Sequence, residues 1–352
     1  MTDTAWEVLS NQAVTAAGVL YFLAFLAHLV EWSALRKVPV GGALTAAPAV
    51  VAGSSAVGDP GAQATATLTR AADSDGSPAS GEAAARDRVA VMSRLGFLLT
   101  LLALVAHGAA LVARGMAADP NRVPWGNMYE FTLAGTFFVT LTYCVTRAKL
   151  SLSFLAPIVL GFVLSTLMAD VIWLYAPVTP LTEALNSPWL VIHVVSAVIA
   201  TGAFTIGGMT SVLYLLKERF GRPADQEQSR GYLGRLPDLP TLDVLSYRMH
   251  AFAFPVWTFA VLITGPIWAH QAWSRYWNWD PKEVWAFITW VVYAAYLHAR
   301  ATAGWKGRKA AYVALIGLVT LWFNFIGINF FASNSMHSYA APAHSGRETP
   351  SL

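Results

Sequence analysis

The sequence predicts an all-α, polytopic integral membrane protein with about eight transmembrane helices. Of its 352 residues, 56% are hydrophobic and only 12% are charged, which is too few charges to cover a soluble globule of this size. Apolar runs long enough to span a bilayer recur along the chain. They lie at residues 13–32, 91–114, 127–146, 151–174, 188–216, 248–268, 284–300 and 310–332.

The positions of the basic residues predict the orientation of these helices, because Lys and Arg in short loops stay preferentially on the cytoplasmic side. The alternate segments 33–94, 147–149, 217–248 and 300–309 hold 18 of the 23 basic residues. Both termini are therefore expected outside. The first apolar run follows no basic segment and precedes no cleavage site, so it is expected to be a retained helix.

Composition divides the chain into four expected segments. Residues 1–37 contain the first transmembrane helix. Residues 38–90, rich in Ala, Gly, Ser, Thr and Asp, are expected to form a disordered cytoplasmic linker. Residues 91–340 form the predicted seven-helix membrane domain with an external tryptophan-rich loop, and residues 341–352 form a polar tail.

Several kinds of chemistry are excluded within this chain. The one cysteine, Cys144, excludes an internal disulfide and a Cys-x-x-Cys redox pair, so any thiol chemistry needs the cysteines of another protein. The net charge of +3 is accounted for by the cytoplasmic loops and indicates no nucleic-acid surface. No P-loop, G-x-G-x-x-G or H-E-x-x-H motif is present.

The stretch WSRYWNWDPKEVWAFITW, residues 273–290, holds five tryptophans around an Asp-Pro-Lys-Glu core. Asp280 can cap a helix, Pro281 suits the first helical position, and Glu283 completes a capping box. A helix is therefore predicted to begin at Pro281, with indole faces next to its N-terminus. The tryptophan shelf so predicted consists of Trp273, Trp277 and Trp279 before the helix and Trp285 on its first turns.

A helix N-terminus favours an anionic group, because it has free backbone N–H donors and is the positive end of the helix dipole. A planar apolar ligand that carries carboxylates, such as haem, therefore suits the tryptophan shelf. The alternative interpretation is an aromatic belt at the membrane interface, where tryptophan is common regardless of function.

The run GPIWAHQAWSRYWNWDPKEVWAFITWVVYAAYLHAR, residues 265–300, resembles the WWD signature of haem-handling membrane proteins and is most similar to the CcsA family, also called ResC. Supporting matches are NMYEF at 127–131, WLVIHV at 189–194 and HSY at 337–339. The resemblance implies cytochrome c biogenesis on the outer face of the bacterial cell membrane, where haem b is joined to the Cys-x-x-Cys-His motif of apocytochrome c. It also implies a ResB- or CcsB-like membrane subunit as partner, and a thiol-reducing, thioredoxin-like protein is a further candidate.

Eight histidines are present, and a histidine inside a membrane helix is costly enough to be a functional candidate. His193 and His337 are both expected near the tryptophan shelf, and the resemblance assigns them as axial ligands of an external haem iron. His298 lies roughly 20 Å deeper than Trp285, at about 1.5 Å per helical residue. The resemblance assigns His298 to a second haem within the membrane, whose other histidine belongs to the partner.

The other histidines are interpreted as hydrogen-bonded helix or interface residues, or as part of the polar tail in the case of His344. They are His28, His107, His250 and His270. His250 shares the predicted depth of His298, so it is the internal alternative to the partner's ligand.

The leading hypothesis is the haem-handling subunit of a membrane cytochrome c synthase, or haem lyase, which positions haem against two reduced cysteine thiols. Asp280 and Glu283 are assigned to helix capping first and to shaping the haem site second, so no catalytic acid or base is assigned. The alternative is a haem exporter or carrier without ligation activity, as in the related CcmC branch. A proton- or ion-coupled transporter is disfavoured, because the intramembrane acids Asp170 and Glu31 are few and near helix ends.

Overall fold

The computed structural model describes residues 2–38, 78–150, 152–179, 185–221, 232–332 and 335–336. Regular secondary structure in this part of the chain is entirely helical, which confirms the predicted all-α class. The described residues form eight long helical segments and a single turn, Tyr232–Arg235. The long segments are α1 (Asp3–Leu35), α2 (Pro78–Met116), α3 (Met128–Leu150), α4 (Leu152–Leu174), α5 (Pro188–Phe220), α6 (Leu239–Trp273), α7 (Pro281–Ala301) and α8 (Arg308–Phe331).

Six of these segments are long and apolar enough to cross a membrane, namely α1, α2, α4, α5, α6 and α8. The segments α3 and α7 fall outside this group. The helix α3 contains five Thr and two Tyr, and α7 contains two Trp and two Tyr, which are less apolar than the aliphatic residues of the other helices. The chain therefore has the helices of a multi-pass membrane protein, while the predicted count of eight spans and the outside termini stay predictions.

The helix α2 begins at Pro78, inside the stretch for which composition predicts a linker. Alanines follow Glu82, and alanine is the strongest helix former, so the helix can extend beyond the membrane-length run. Arg86 lies 3.6 Å from Glu82, one turn away on the exposed surface. The rest of the predicted linker, residues 39–77, lies outside the described residues, as does the tail 341–352.

The helix α5 is central and packs against α3, α6 and α8. Two adjacent glycines allow the close approach of its neighbours, as small residues commonly do between membrane helices. A Cβ at Gly207 would lie 2.6 Å from the His250 ring of α6, and one at Gly208 would lie 2.5 Å from Leu318 of α8. These contacts set the spacing of α5, α6 and α8 and hence the space between their ends.

Three π-helical turns occur in the long helices of the described residues: Asp170–Leu174 at the end of α4, Phe259–Thr264 within α6 and Phe323–Gly327 within α8. Such turns are rare and are frequently found at functional sites. Irregular backbone at membrane depth is tolerated where it is buried in protein or lines a cavity. The turns in α6 and α8 both contribute residues to the same cavity, which is described below.

A buried cluster of charged side chains connects the ends of α1, α2 and α4 to the start of α3. Arg114 of α2 is fully buried, and its Nε lies 3.1 Å from Glu130 of α3. Its Nη1 lies 3.7 Å from Glu7 of α1, and it donates a hydrogen bond to the Ala176 carbonyl that follows α4. Arg122 donates to the second oxygen of Glu130 at 2.7 Å. One carboxylate therefore compensates two buried guanidinium groups.

The motif NMYEF contains the residues that place this carboxylate. Asn127 Oδ1 accepts a hydrogen bond from the Glu130 backbone N–H at 2.9 Å, as an N-terminal cap of α3 does. Glu130 in turn accepts from the Gly126 N–H at 2.7 Å. The start of α3 and the charge cluster are thus fixed by the same short segment.

We expect Glu130→Gln to destabilise the protein strongly, because it leaves two buried guanidinium groups without their shared carboxylate. Removing one partner of a buried ion pair typically costs about 3–5 kcal/mol. The midpoint of thermal unfolding in detergent, followed by tryptophan fluorescence, measures this loss. The matched control is Glu82→Gln, which breaks the exposed pair with Arg86 and should cost less than about 1 kcal/mol. Equal midpoints for the two variants would contradict the role of Glu130.

Candidate functional site

A large cavity opens where α5 and α7 begin and where α6 and α8 end. It encloses about 1120 Å³ of space between the helices, which includes the part open to solvent. Most of its wall is apolar. The aromatic residues of the wall are Phe131, Trp257, Trp268, Tyr276, Trp277 and Phe325.

His193 lines this cavity from the second turn of α5. Its Nδ1 lies 2.9 Å from the backbone carbonyl oxygen of Ala260, and a carbonyl can only accept, so Nδ1 is assigned as the donor. In the neutral ring the lone pair is then on Nε2. The ring lies parallel to the Trp268 indole, with 6.0 Å between centroids and 12° between planes. These contacts fix both the tautomer and the orientation of His193.

The Ala260 carbonyl is part of the π turn in α6. The Gly265 N–H donates to it across five residues, and the Thr264 hydroxyl donates to it at 3.0 Å. Gly265 also leaves room for the histidine, since a Cβ there would lie 3.2 Å from His193 Cε1. Ala260 and Gly265 were not predicted as part of the site. The pair Gly265-Pro266, near the expected end of this helix, was the sequence feature that could have indicated irregular backbone there.

The predicted capping box of α7 is confirmed. Asp280 Oδ1 accepts from the Lys282 N–H at 3.0 Å, and Glu283 Oε2 accepts from the Asp280 N–H at 3.2 Å. The helix begins at Pro281, as expected. Glu283 also accepts from the Asn278 N–H at 2.8 Å, which ties the preceding loop to the start of the helix.

Asp280 has a second role that capping does not explain, because it also binds the segment after α8. Ser335 Oγ donates to Oδ1 at 2.8 Å, and the Met336 N–H donates to Oδ2 at 2.6 Å. The next residue in the chain is His337, which lies outside the described residues. Its predicted role as an axial ligand therefore stays a prediction.

The structure gives the tryptophans of the shelf different surroundings. Trp277 lines the cavity, and its Nε1 is a buried donor without a hydrogen-bond partner among the described residues. Trp279 is 71% exposed and meets Trp277 edge to face, with 5.9 Å between ring centroids. Trp285 packs against Phe323 of α8 at 4.3 Å between centroids, behind the cavity wall.

Trp273 is the last residue of α6, whereas the sequence predicts it in the loop before α7. The helix continues past its expected end at residue 268 until Ser274, whose φ of 56° gives it a left-handed C-cap. The Trp273 ring lies 4.9 Å from that of Trp268, which does line the cavity and was not among the predicted site residues. The side chain of Trp273 thus supports the wall from behind.

The cavity wall also contains polar residues that were not predicted, among them Lys282, Asn324 and Asn329. Asn329 Nδ2 donates to the Phe325 carbonyl at 2.5 Å. The Oδ1 atoms of both asparagines are buried and have no hydrogen-bond partner in the described part of the chain. The two asparagines could have been identified from the sequence, because a polar side chain inside an apolar run is costly in a membrane and commonly marks a functional site.

His298 lies near the far end of α7 and is exposed, so it does not share the cavity with His193. His250 is fully buried, and its Nδ1 lies 2.7 Å from the Ser246 carbonyl. The His250 ring packs against Tyr293 and Tyr296, at 5.4 Å and 5.2 Å between centroids. It is a hydrogen-bonded helix histidine, as the sequence interpretation expected.

The remaining histidines of the described helices also have local partners. These are Glu31 at 2.6 Å from His28, Tyr21 at 3.3 Å from His107, and the Tyr276 ring at 4.3 Å from that of His270. No group of three or more His, Cys, Asp or Glu side chains within the described ranges could hold a bare metal ion.

Comparison with known proteins gives consistent matches. The family described as "Cytochrome C assembly protein" matches residues 125–336. The cytochrome c biogenesis protein CcsA of Trieres chinensis is 32% identical over 282 residues, which cover 70% of this chain and 87% of that protein. CcsA of Gloeobacter violaceus is 32% identical over 315 residues, covering 73% of this chain and 89% of that protein. The solved structure of cytochrome c haem lyase CcmF has a TM-score of 0.45 at 16% identity, over 95% of this chain and 50% of that one, which is too distant to bear on function.

The family match begins just before α3 and ends just after α8, so it includes every helix that lines the cavity. It covers more than half of the chain, and the two CcsA relatives are aligned over most of their own length. The chain therefore belongs to the CcsA family of cytochrome c assembly proteins, multi-pass membrane proteins that serve cytochrome c maturation.

Proposed function

We propose that this chain binds haem in the cavity beside His193 and presents it for attachment to the Cys-x-x-Cys-His motif of apocytochrome c. The observation that carries the proposal is the Nδ1 hydrogen bond to Ala260, which puts the lone pair on Nε2, the atom that can bind iron. The aromatic side chains of the wall suit the porphyrin plane. Haem is the substrate here, and haem b is the form that carries the vinyl groups used in attachment.

The attachment itself requires positioning more than acid or base chemistry. Each thioether forms when a cysteine S–H adds across a haem vinyl group: sulfur bonds to one carbon, hydrogen bonds to the other, and nothing leaves. No net oxidation occurs as long as the cysteines arrive reduced, which is the task proposed for a thioredoxin-like partner. Holding two reactants in the correct geometry can lower a barrier by roughly 7–11 kcal/mol.

We propose that the cavity faces the outside of the bacterial cell membrane. The opposite end of the bundle carries basic side chains in ordered positions, including Lys217 at the end of α5, Arg300 at the end of α7 and Arg308 at the start of α8. Basic residues are retained on the cytoplasmic side. The cavity would then open where apocytochrome c is met.

Two further histidines complete the proposal. His337 is proposed as the second axial ligand of the external haem, and the binding of its neighbours Ser335 and Met336 by Asp280 supports this. His298 is proposed as a ligand of a second haem within the membrane. Its exposure on α7 supports a site shared with a ResB- or CcsB-like subunit, which would provide the other histidine.

We expect His193→Ala to abolish haem binding in the cavity and cytochrome c maturation, and added imidazole to restore both in part by filling the vacant ligand position. Soret absorbance of the purified protein and the yield of holocytochrome c measure the two effects. His270→Ala, which removes an exposed histidine stacked on Tyr276, is the control and should behave as wild type. Full maturation by His193→Ala without imidazole would contradict the proposal. Haem bound by the wild-type complex without thioether formation would indicate a carrier instead.

Gly265→Ala should weaken haem binding without removing the ligand. The new methyl group would meet the His193 ring at 3.2 Å and the Ala260 carbonyl at 3.1 Å, so the ring must shift. Changes to groups that orient a metal-binding histidine typically cost about 10- to 100-fold in affinity. Titration with haem, followed at the Soret band, gives the dissociation constant. Gly18→Ala, at a position with nothing within 4 Å, is the control, and an equal affinity for the two variants would argue against the orienting role.

Trp277→Ala should reduce haem affinity more than Trp279→Ala does. The first change removes an indole from the cavity wall, whereas the second removes an exposed ring that only supports it. A large aromatic contact is lost in the first case, so a reduction of about 10-fold or more is expected. Trp173→Ala, at a side chain that is 76% exposed near the end of α4, is the control for expression and insertion. A larger loss of haem affinity in Trp279→Ala than in Trp277→Ala would contradict this prediction and would place the haem on the Trp279 side of the loop before α7.

A further inference from the structure

We propose that Lys282 binds a propionate of haem in this cavity and that Trp277 Nε1 donates a hydrogen bond beside it. The inference rests on the proposed haem site and adds how that site recognises the acidic edge of its substrate. The two propionates are the charged side chains of haem, so a site that selects haem from other flat apolar molecules needs a cation.

Lys282 occupies a position where a lysine does not stabilise a helix. It is the second residue of α7, and the positive end of the helix dipole disfavours a cation in the first turn. Its backbone N–H is used in the cap, but its ammonium makes no ion pair within 4 Å with any residue that the structure describes. No ion pair among the described residues therefore accounts for a charge at this position, while the side chain lines the cavity.

The acids near Lys282 are already engaged by other donors. Glu283 accepts from the backbone N–H groups of Asn278 and Asp280. Asp280 accepts from Ser335 and Met336 in addition to its cap. Lys282 and Glu283 are the charged residues among those that line the cavity, so the ammonium remains as the charge available to a ligand.

Trp277 provides a second, independent observation. Its Nε1–H is buried and has no acceptor within the described residues, although buried polar groups in native proteins are nearly always hydrogen-bonded. Leaving such a donor unpaired is costly, so an acceptor from a ligand is expected. Trp277 and Lys282 line the same cavity, and a carboxylate can accept from both at once.

The test compares the affinity of the full chain for iron protoporphyrin IX and for its dimethyl ester, which keeps the iron and the ring but removes both charges. The protein is placed in nanodiscs of phosphatidylcholine alone, so that anionic lipid headgroups do not compete for Lys282. Soret titrations of the wild type should give an affinity for the free acid about 10-fold or more above that for the ester, since hydrogen bonds between charged groups are the strong ones.

The expected effect of Lys282→Met is to reduce the affinity for the free acid to about that for the ester and to leave the affinity for the ester unchanged. Lys282→Arg keeps the charge and should keep the selectivity. The matched control is Arg275→Met, which removes a cation of the same loop that is exposed, donates to Asn278 at 2.9 Å and does not line the cavity. This control should retain the wild-type selectivity.

Equal affinities of the wild type for the two porphyrins would overturn the inference while leaving the haem site in place. An equal loss of both affinities in Lys282→Met would also overturn it, because the change would then act on the shape of the cavity. No Soret band with either porphyrin in the wild type would overturn the proposed function itself.

Discussion

The hydrogen bond from His193 to the Ala260 carbonyl is the contact on which the site depends. It joins α5 to α6 at the cavity, and it determines which ring nitrogen carries the lone pair. The same carbonyl accepts from the Gly265 N–H and the Thr264 hydroxyl within the π turn Phe259–Thr264, and irregular backbone of this kind is tolerated where it lines a cavity. Gly265 provides the space for the ring. The glycines of α5 permit close contacts with α6 and α8 further along the same helix.

Two carboxylates organise the polar end of an otherwise apolar bundle. Glu130 compensates two arginines from different segments, and Asp280 caps α7 while it binds the chain after α8. Each carboxylate therefore connects parts of the chain that are far apart in sequence. These polar contacts lie at the end of the bundle where the cavity opens, and most of the cavity wall between them is apolar and suits a porphyrin plane.

Local signals in the sequence predicted the fold and part of the site. The apolar runs predicted the helices, and the Asp-Pro-Lys-Glu signal predicted the start of α7 at Pro281, because a capping box involves neighbouring residues only. The family resemblance predicted His193 as a site residue, and His193 does line the cavity. In α2, alanine-rich composition was interpreted as linker although the same residues favour a helix once one has begun.

The rest of the site depends on tertiary contacts that no local pattern contains. One tryptophan-rich stretch contains Trp273, Trp277, Trp279 and Trp285. Of these four, only Trp277 lines the cavity, because the C-cap at Ser274 and the start of α7 direct the other three side chains away from it. Ala260 is an ordinary helix residue in the sequence, and its role exists only where α5 meets α6. The solid-state ¹⁵N spectrum of histidine-labelled protein in lipid bilayers, with the His193 signals assigned by their loss in His193→Ala, tests this role most directly. Without haem, the neutral His193 ring is expected to be protonated at Nδ1, and the Nε2 signal is expected to shift strongly when haem is added. A proton on Nε2, or an Nε2 signal unchanged by haem, would contradict this expectation.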